Sequence, residues 1–285
     1  MKVVVTGAKG QLGTDLVHLL ADREYEVYGY GREELDITNF EQVKQIIGKV
    51  NPDVVIHAAA YTKVDLAESE PDQAFLINAY GTRNVAVASE AVGAKLVYIS
   101  TDYVFDGMAT TPYNEFAPTN PLSVYGKSKL AGEQFVRDLH SKFFIVRTSW
   151  VYGKHGNNFV KTMLKLAQER DELMVVHDQI GCPTYTVDLA HCILEIIQTE
   201  KYGIYHVSNS GHCSWYEFAK AIFEEAGIDV KVNPCTTKDF PRPAPRPAYS
   251  VFDHLSLRLN KFKKMRNWKH ALKDFINNDG FVKLR

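Results

Sequence analysis

The chain has little of what marks a secreted, membrane-bound or nucleic-acid-binding protein. It carries four cysteines in 285 residues. Cys182, Cys192, Cys213 and Cys235 form no CxxC pair and no metal-finger spacing, which argues against a disulfide framework and predicts reduced thiols. The net charge is -1, so no electrostatic pull towards nucleic acid or an anionic membrane is expected. No apolar run approaches the length of a membrane span. One lysine precedes the first apolar run, which is no signal-peptide pattern, and a cytoplasmic protein is expected. Repeats and low-complexity tracts are missing. His155, His206 and His212 show no metal spacing, and no metal is expected.

What is present is organised around "MKVVVTGAKGQLGTDLVHLL". The β-branched run Val3, Val4 and Val5 breaks at Gly7, Gly10 and Gly13, and Leu12, Leu16, Leu19 and Leu20 then recur at helical spacing. Strand, glycine turn and helix form the setting of a dinucleotide fingerprint. Gly7 would allow the tight turn, Gly10 the close approach of a pyrophosphate, and Gly13 close packing of helix on strand. Amides near Gln11 and Leu12 would face the anion. The first gap is one residue wider than in GxGxxG, and an ordinary βα turn shares the pattern. A second strand over 26–30 ends without an acid until Glu33, and Arg32 stands beside it. That favours NADPH, or acceptance of both nicotinamide cofactors. Arg32 could equally be a plain surface residue. Asp36 and Ile37 follow in a loop that could reach adenine, unless Asp36 caps the next helix in competition with Thr38 or Asn39.

A third strand over 53–57 runs into Ala58, Ala59, Ala60, Tyr61 and Thr62. Small residues at the carboxyl end of a strand leave room for a flat ligand group. A long helix over 71–91 contains Asn78, whose amide is expected to hydrogen-bond a neighbouring strand backbone. A fourth strand over 95–100 delivers Thr101 and Asp102 to the same edge, and a fifth spans 143–148. The alternation predicts an α/β fold with a Rossmann-like doubly wound parallel sheet in residues 1–150. From Trp150 the texture changes. Helices over 157–170, 187–198 and 215–226, strands over 173–176 and 204–207, a proline-rich arm over 239–249 and a last helix over 268–276 predict a smaller substrate-binding region in 151–285. Residues near 184–202 are expected to return to the first domain. Ser214 and Glu217 have capping-box spacing.

Tyr125 and Lys129 lie four apart and share one helix face. A nearby ammonium favours a phenolate, which would bring Tyr125 closer to the range useful for proton transfer to a carbonyl oxygen. Lys129 could also hold a cofactor ribose. Thr101 could donate to the same carbonyl oxygen. Taken alone, the pair is also an ordinary solvated helix face. Arg242 and Arg246 on the stiff arm could grip a diphosphate bidentately, or remain solvated. Trp150 could wall a sugar or fill a domain junction, and Asp102 could cap the turn after it.

The glycines, Ser100-Thr101 and Tyr125/Lys129 together resemble the extended short-chain dehydrogenase/reductase superfamily. "GAKGQLG", "HAAAYTKVDLAE", "STDYVFDG", "PLSVYGKSKLAGE", "RTSWVYG", "DQIGCPTYTVDLA" and "RPAPRPAYSVFD" narrow this to a similarity with its dTDP-4-dehydrorhamnose reductases, over nearly the whole chain. The resemblance implies phosphates on Gly10, Gln11 and Leu12, adenine between Asp36 and Ile37, and the centre of the cofactor along Ala60, Tyr61 and Thr62. It implies a nucleotide-sugar partner met by Thr101, Asp102 and Trp150. The implied reaction is reduction of the C4 ketone of dTDP-4-dehydro-β-L-rhamnose by NADPH or NADH. Some relatives carry magnesium at a dimer contact. Asp15 stands at one plausible ligand position and the others are not mapped onto this chain, so no metal is expected, and a homodimer stays open. The rival readings are an epimerase or dehydratase that recycles bound NAD, and a non-catalytic regulatory subunit. The intact Thr101, Tyr125 and Lys129 argue against the latter.

Overall fold

Val3, Val4 and Val5 are fully buried in the computed structural model, which describes residues 1–278. They form β1 (Lys2–Thr6), followed by α1 (Gln11–Asp22), β2 (Glu26–Tyr30), α2 (Phe40–Val50) and β3 (Val54–His57). The Asn39 side chain accepts the Gln42 amide and caps α2, so the cap falls to Asn39 among the three candidates. A short α3 (Val64–Ala67) comes next. The expected helix over 71–91 is three pieces, α4 (Pro71–Phe75), a π turn (Leu76–Gly81) and α5 (Thr82–Ala91). The interruption is a local widening that turns Asn78 inwards, a device found often at functional sites. β4 (Lys95–Thr101), α6 (Val124–Leu139) and β5 (Phe143–Thr148) complete the first unit.

The later chain holds β6 (Val151–Tyr152), α7 (Phe159–Leu166), β7 (Glu172–Val176), β8 (Ile180–Gly181), β9 (Thr184–Tyr185), α8 (Thr186–Ile197) and β10 (Gly203–His206). After these come β11 (Cys213–Ser214), α9 (Trp215–Ala226), β12 (Lys231–Cys235), α10 (Leu255–Leu259) and α11 (Trp268–Asn278). The capping box at Ser214 and Glu217 is present.

One parallel six-stranded sheet runs in the order β10-β5-β4-β3-β1-β2. Its strands read as continuous apolar runs because helices cover both faces. Leu16 and Leu20 of α1 pack with Leu189 and Ile193 of α8 on one face, and α2, α5 and α6 cover the other with Val43, Ile47, Val85 and Val136. α8 and β10 return to this sheet from the second half of the chain, so the returning stretch continues to His206. The strand over 204–207, taken from sequence as part of the substrate region, is the sixth strand of the main sheet. The remaining later elements have their own core, in which Phe218, Phe223, Trp268 and Phe275 are buried together, with β7 and β12 paired parallel. All four cysteines are buried and free. Among the described residues no helix is long and apolar enough to cross a membrane.

Candidate active site

The glycine turn is built as a cradle. Gly7 has φ +70°, and a Cβ there would lie 2.7 Å from the Ala59 amide nitrogen. A Cβ on Gly13 would lie 2.1 Å from the Gly7 carbonyl oxygen, so only glycine lets α1 start this close to β1. Gly10 is the N-cap and supplies no side chain to the helix end. The amides of Gln11, Leu12 and Gly13 have no carbonyl within the helix to reach, and they suit a dinucleotide pyrophosphate. The Gln11 side chain is committed elsewhere. It donates to the Val151 carbonyl at 3.2 Å and accepts from Asn158 at 2.8 Å, which ties the turn to the later chain. Arg32 is exposed at the tip of β2. Lys9, within the turn, pairs with Glu34, whose other carboxylate oxygen accepts the Gly31 amide at 3.0 Å. Sequence spacing had pointed to Arg32 and Glu33 and missed Lys9 and Glu34. The Asp36 carboxylate is exposed and accepts from Thr38, while Ile37 is buried in the core beside Gly81.

Asn78 organises the next segment. Its Oδ1 accepts the Tyr61 amide at 2.8 Å, and its Nδ2 donates to the Tyr61 carbonyl and to Ser128 Oγ, both at 3.0 Å. The expected bond to backbone is therefore made twice, to the loop after β3 and not to a strand. Half-buried Ala60 and exposed Thr62 flank the clamped residue. The Tyr61 ring is buried against Ala67 and Ala74, with Tyr125 packed on the same cluster, and its hydroxyl donates to Glu70 at 2.8 Å. Tyr61 thus offers its backbone, not its ring, to the sheet edge.

β4 and α6 bring the reactive groups together. Thr101 ends β4 and donates to Asp102 Oδ1 at 3.2 Å. Ser123 caps α6 through the Gly126 amide, which starts the helix one residue before Tyr125. The Tyr125 ring meets Tyr103 edge-on at 5.5 Å. Burial pushes the Tyr125 phenol up to about 12, and the neighbouring Thr101 hydroxyl opposes the rise. The sequence expectation of a lowered phenol is thus opposed by burial. Lys129 points to the strand below. It is 2% exposed, its Nζ donates to the Ile99 carbonyl at 2.7 Å, and it lies 4.1 Å from the centre of the Tyr98 ring. Burial lowers Lys129 to about 7. Asp102 is raised to about 6, mainly by burial, and its Oδ2 lacks a hydrogen-bond partner.

Asp102 and Tyr103 also line a cleft of about 830 Å³ between the sheet edge and the later chain, with Trp150, Trp215, Arg242 and Arg246 on its walls. Trp150 is held at φ +46° and stacks on Trp215 with ring centres 3.5 Å apart. A non-glycine residue in that backbone region marks a site where packing overrides local preference. Arg246 is paired with Asp65 at 2.9 Å and donates to the Ala244 carbonyl. The arm is thereby fastened to α3 across the cleft. Arg242 stands over the Phe240 ring.

A fingerprint turn, a Tyr/Lys helix face and a Thr-tipped strand stand at one sheet edge, an arrangement suited to a dinucleotide. A family model described as the RmlD substrate binding domain matches residues 1–280. The chain belongs to that family. A similar relative is spore coat polysaccharide biosynthesis protein SpsK of Bacillus subtilis, 47% identical and covering 96% of each chain. Another is the dTDP-4-dehydrorhamnose reductase of Aggregatibacter actinomycetemcomitans, 45% identical over 96% of this chain and 97% of that one. The crystal structure of dTDP-4-dehydrorhamnose reductase from Bacillus anthracis in complex with NADP superposes with a TM-score of 0.96 at 56% identity, over 97% of this chain and 99% of that one. Within this RmlD-family chain the sequence left Asp65, Tyr103 and Trp215 unassigned. "KVDLAE", "TDYVF" and "SWYEF" carry them, but only the closed cleft shows that they face it.

Proposed function

We propose that this chain reduces the C4 ketone of dTDP-4-dehydro-β-L-rhamnose to give dTDP-β-L-rhamnose, with NADPH or NADH as the reductant. The observation that carries the proposal is the placement of Thr101 at the end of β4 and of Tyr125 on the first turn of α6, its ring against Tyr103, beside the cleft that Asp102 and Tyr103 line. The reduced nicotinamide supplies a hydride when bound. Tyr125 places its proton on the ketone oxygen, and the Thr101 hydroxyl donates to the same oxygen to orient it. Lys129, one turn on along the same face of α6, would hold the ribose of a bound cofactor, and its charge would favour the phenolate left behind. Gly7, Gly10 and Gly13, with the amides of Gln11 and Leu12, hold the pyrophosphate. Asp36, Ile37, Ala60, the Tyr61 backbone and Thr62 line the rest of the cofactor's path, and Arg32 and Lys9 provide the cations for a 2′-phosphate.

On this reading the cofactor lies on the unit formed by residues 1–150 and the sugar nucleotide against residues 151–285. Asp102 and Trp150 meet the sugar. Arg246 trades Asp65 for the diphosphate, which arginine grips in bidentate geometry. The free, buried thiols fit a cytoplasmic enzyme. The test is consumption of NADPH and NADH with the purified keto sugar, with product stereochemistry read by NMR. Oxidation of added NADPH to a single rhamno-configured product is expected. A protein that carries tightly bound NAD and needs no added reductant would overturn the assignment in favour of an epimerase.

A further inference from the structure

Beneath Thr101 and Lys129 lies a buried ion pair that the reaction as described does not use. Glu133 on α6 is 1% exposed and Arg147 on β5 is 3% exposed. Arg147 Nη2 donates to Glu133 Oε2 at 2.7 Å and Nε to Oε1 at 2.9 Å. Ser100 Oγ donates to the same Oε1 at 2.6 Å, and Ser100 and Arg147 are cross-strand partners in the β4–β5 register. His206 accepts from Arg147 Nη1 at 3.4 Å, while its Nδ1 lies 3.0 Å from the Tyr113 carbonyl oxygen, so the ring is neutral. Phe105 covers the guanidinium, 5.2 Å from its ring centre.

A buried pair of this kind is a poor stability device. Removing two charges from water costs several kcal/mol per ion, and apolar replacements are often no worse. Its position suggests another role. Tyr125, Lys129 and Glu133 recur every fourth residue along one face of α6. Among the described residues Lys129 has no salt bridge of its own. Around its ammonium are the Ile99 carbonyl, the Tyr98 ring and neutral His57 on β3, with Glu133 one turn ahead on α6.

We propose that Glu133, clamped by Arg147 and Ser100, is a positioning residue for the reductase site: its buried carboxylate is the counter-charge of Lys129, and its bond to Ser100 fixes the end of β4 that presents Thr101. Burial alone would discharge Lys129, and Glu133 is the group that opposes this. The role of the charged lysine rests on the reductase assignment, but its charge state is measurable without turnover.

The experiment uses the full chain labelled with [ε-13C]lysine, with the Lys129 resonance identified by its loss in Lys129→Arg. Glu133→Gln keeps the hydrogen-bonding shape and removes the charge. Its Lys129 titration midpoint is expected about one pH unit below that of the parent. kcat/KM at pH 8 is expected to fall about tenfold and to recover as the pH drops. If the lone Arg147 unfolds that variant, Glu133→Gln with Arg147→Met removes both charges together; loss of the arginine charge offsets part of the effect, so the shift should be downward but smaller. Glu133→Asp should restore most of the parent midpoint. A midpoint in Glu133→Gln that stays within about 0.3 unit of the parent, or one in the double variant that does not fall below the parent, overturns the proposal, as does a loss of kcat equal at every pH. Failure of the reductase assignment shows differently: the parent protein would not oxidise NADPH with the keto sugar, while the Lys129 shift would persist.

Discussion

Replacing Asn78 by alanine isolates the contribution of the clamp on the loop after β3. The substitution deletes three hydrogen bonds of 2.8, 3.0 and 3.0 Å. The Tyr61 N–H and C=O lose their only side-chain partner at a residue 9% exposed, and each orphaned buried group costs roughly 1–3 kcal/mol. Ser128 keeps its bond to the Tyr125 carbonyl, so the third loss is worth about 1 kcal/mol. Alanine regains about 0.5 kcal/mol of helix propensity. The net expectation is a destabilisation of about 3–4 kcal/mol, or about 10 °C in Tm. Urea unfolding of the full chain measures it. Ser128→Ala, which spares both backbone bonds, should cost only about 1 kcal/mol. The released loop carries Ala60 and Thr62, so NADPH affinity, read by cofactor fluorescence, should weaken about tenfold. A loss below about 1 kcal/mol with unchanged cofactor affinity would refute the reasoning, because water would then replace the amide without cost.

Three further outcomes follow from the site. Tyr125→Phe should lower turnover of the keto sugar about 10²- to 10⁴-fold while NADPH binding holds within about twofold, and parent-level turnover would remove Tyr125 from the chemistry. Asp102 has a folded-state pKa of about 6 against an ordinary 3.8, because burial favours its neutral form. The folded chain therefore holds this proton more tightly than the unfolded one. That stabilisation is full below about pH 4 and is lost as the pH rises to about 6, leaving the ionised group a cost of up to about 3 kcal/mol. Asp102→Asn should be more stable than the parent at pH 8 and level with it at pH 4, and a pH-independent difference in Tm would contradict the buried-carboxyl account. Arg246→Met should raise KM for the sugar nucleotide about tenfold or more with cofactor affinity unchanged, whereas an unaltered KM would leave Arg246 only its bond to Asp65.

The order of strands 1 to 5, the glycine turn and the shared face of Tyr125 and Lys129 were legible because they depend on spacing along the chain. β-branched runs, a glycine triplet and a four-residue repeat express covalent geometry, which needs no partner from elsewhere. The short pieces were not legible. β6, β8, β9 and β11 are two residues long and carry no period to recognise. β10 reads like any other strand, and only its pairing with β5 places it in the main sheet.

The site divides in the same way. Local sequence determined which groups could do chemistry: a phenol, an ammonium and a hydroxyl at recognisable intervals, and a turn in which any side chain would collide with backbone. The tertiary structure decided what those groups touch. It took Lys129 to the Ile99 carbonyl, buried the Tyr61 ring, seated Trp150 on Trp215 and joined Arg246 to Asp65 across the cleft. Burial and counter-charges come from residues far apart in the chain, and they set the proton affinities on which the reaction depends.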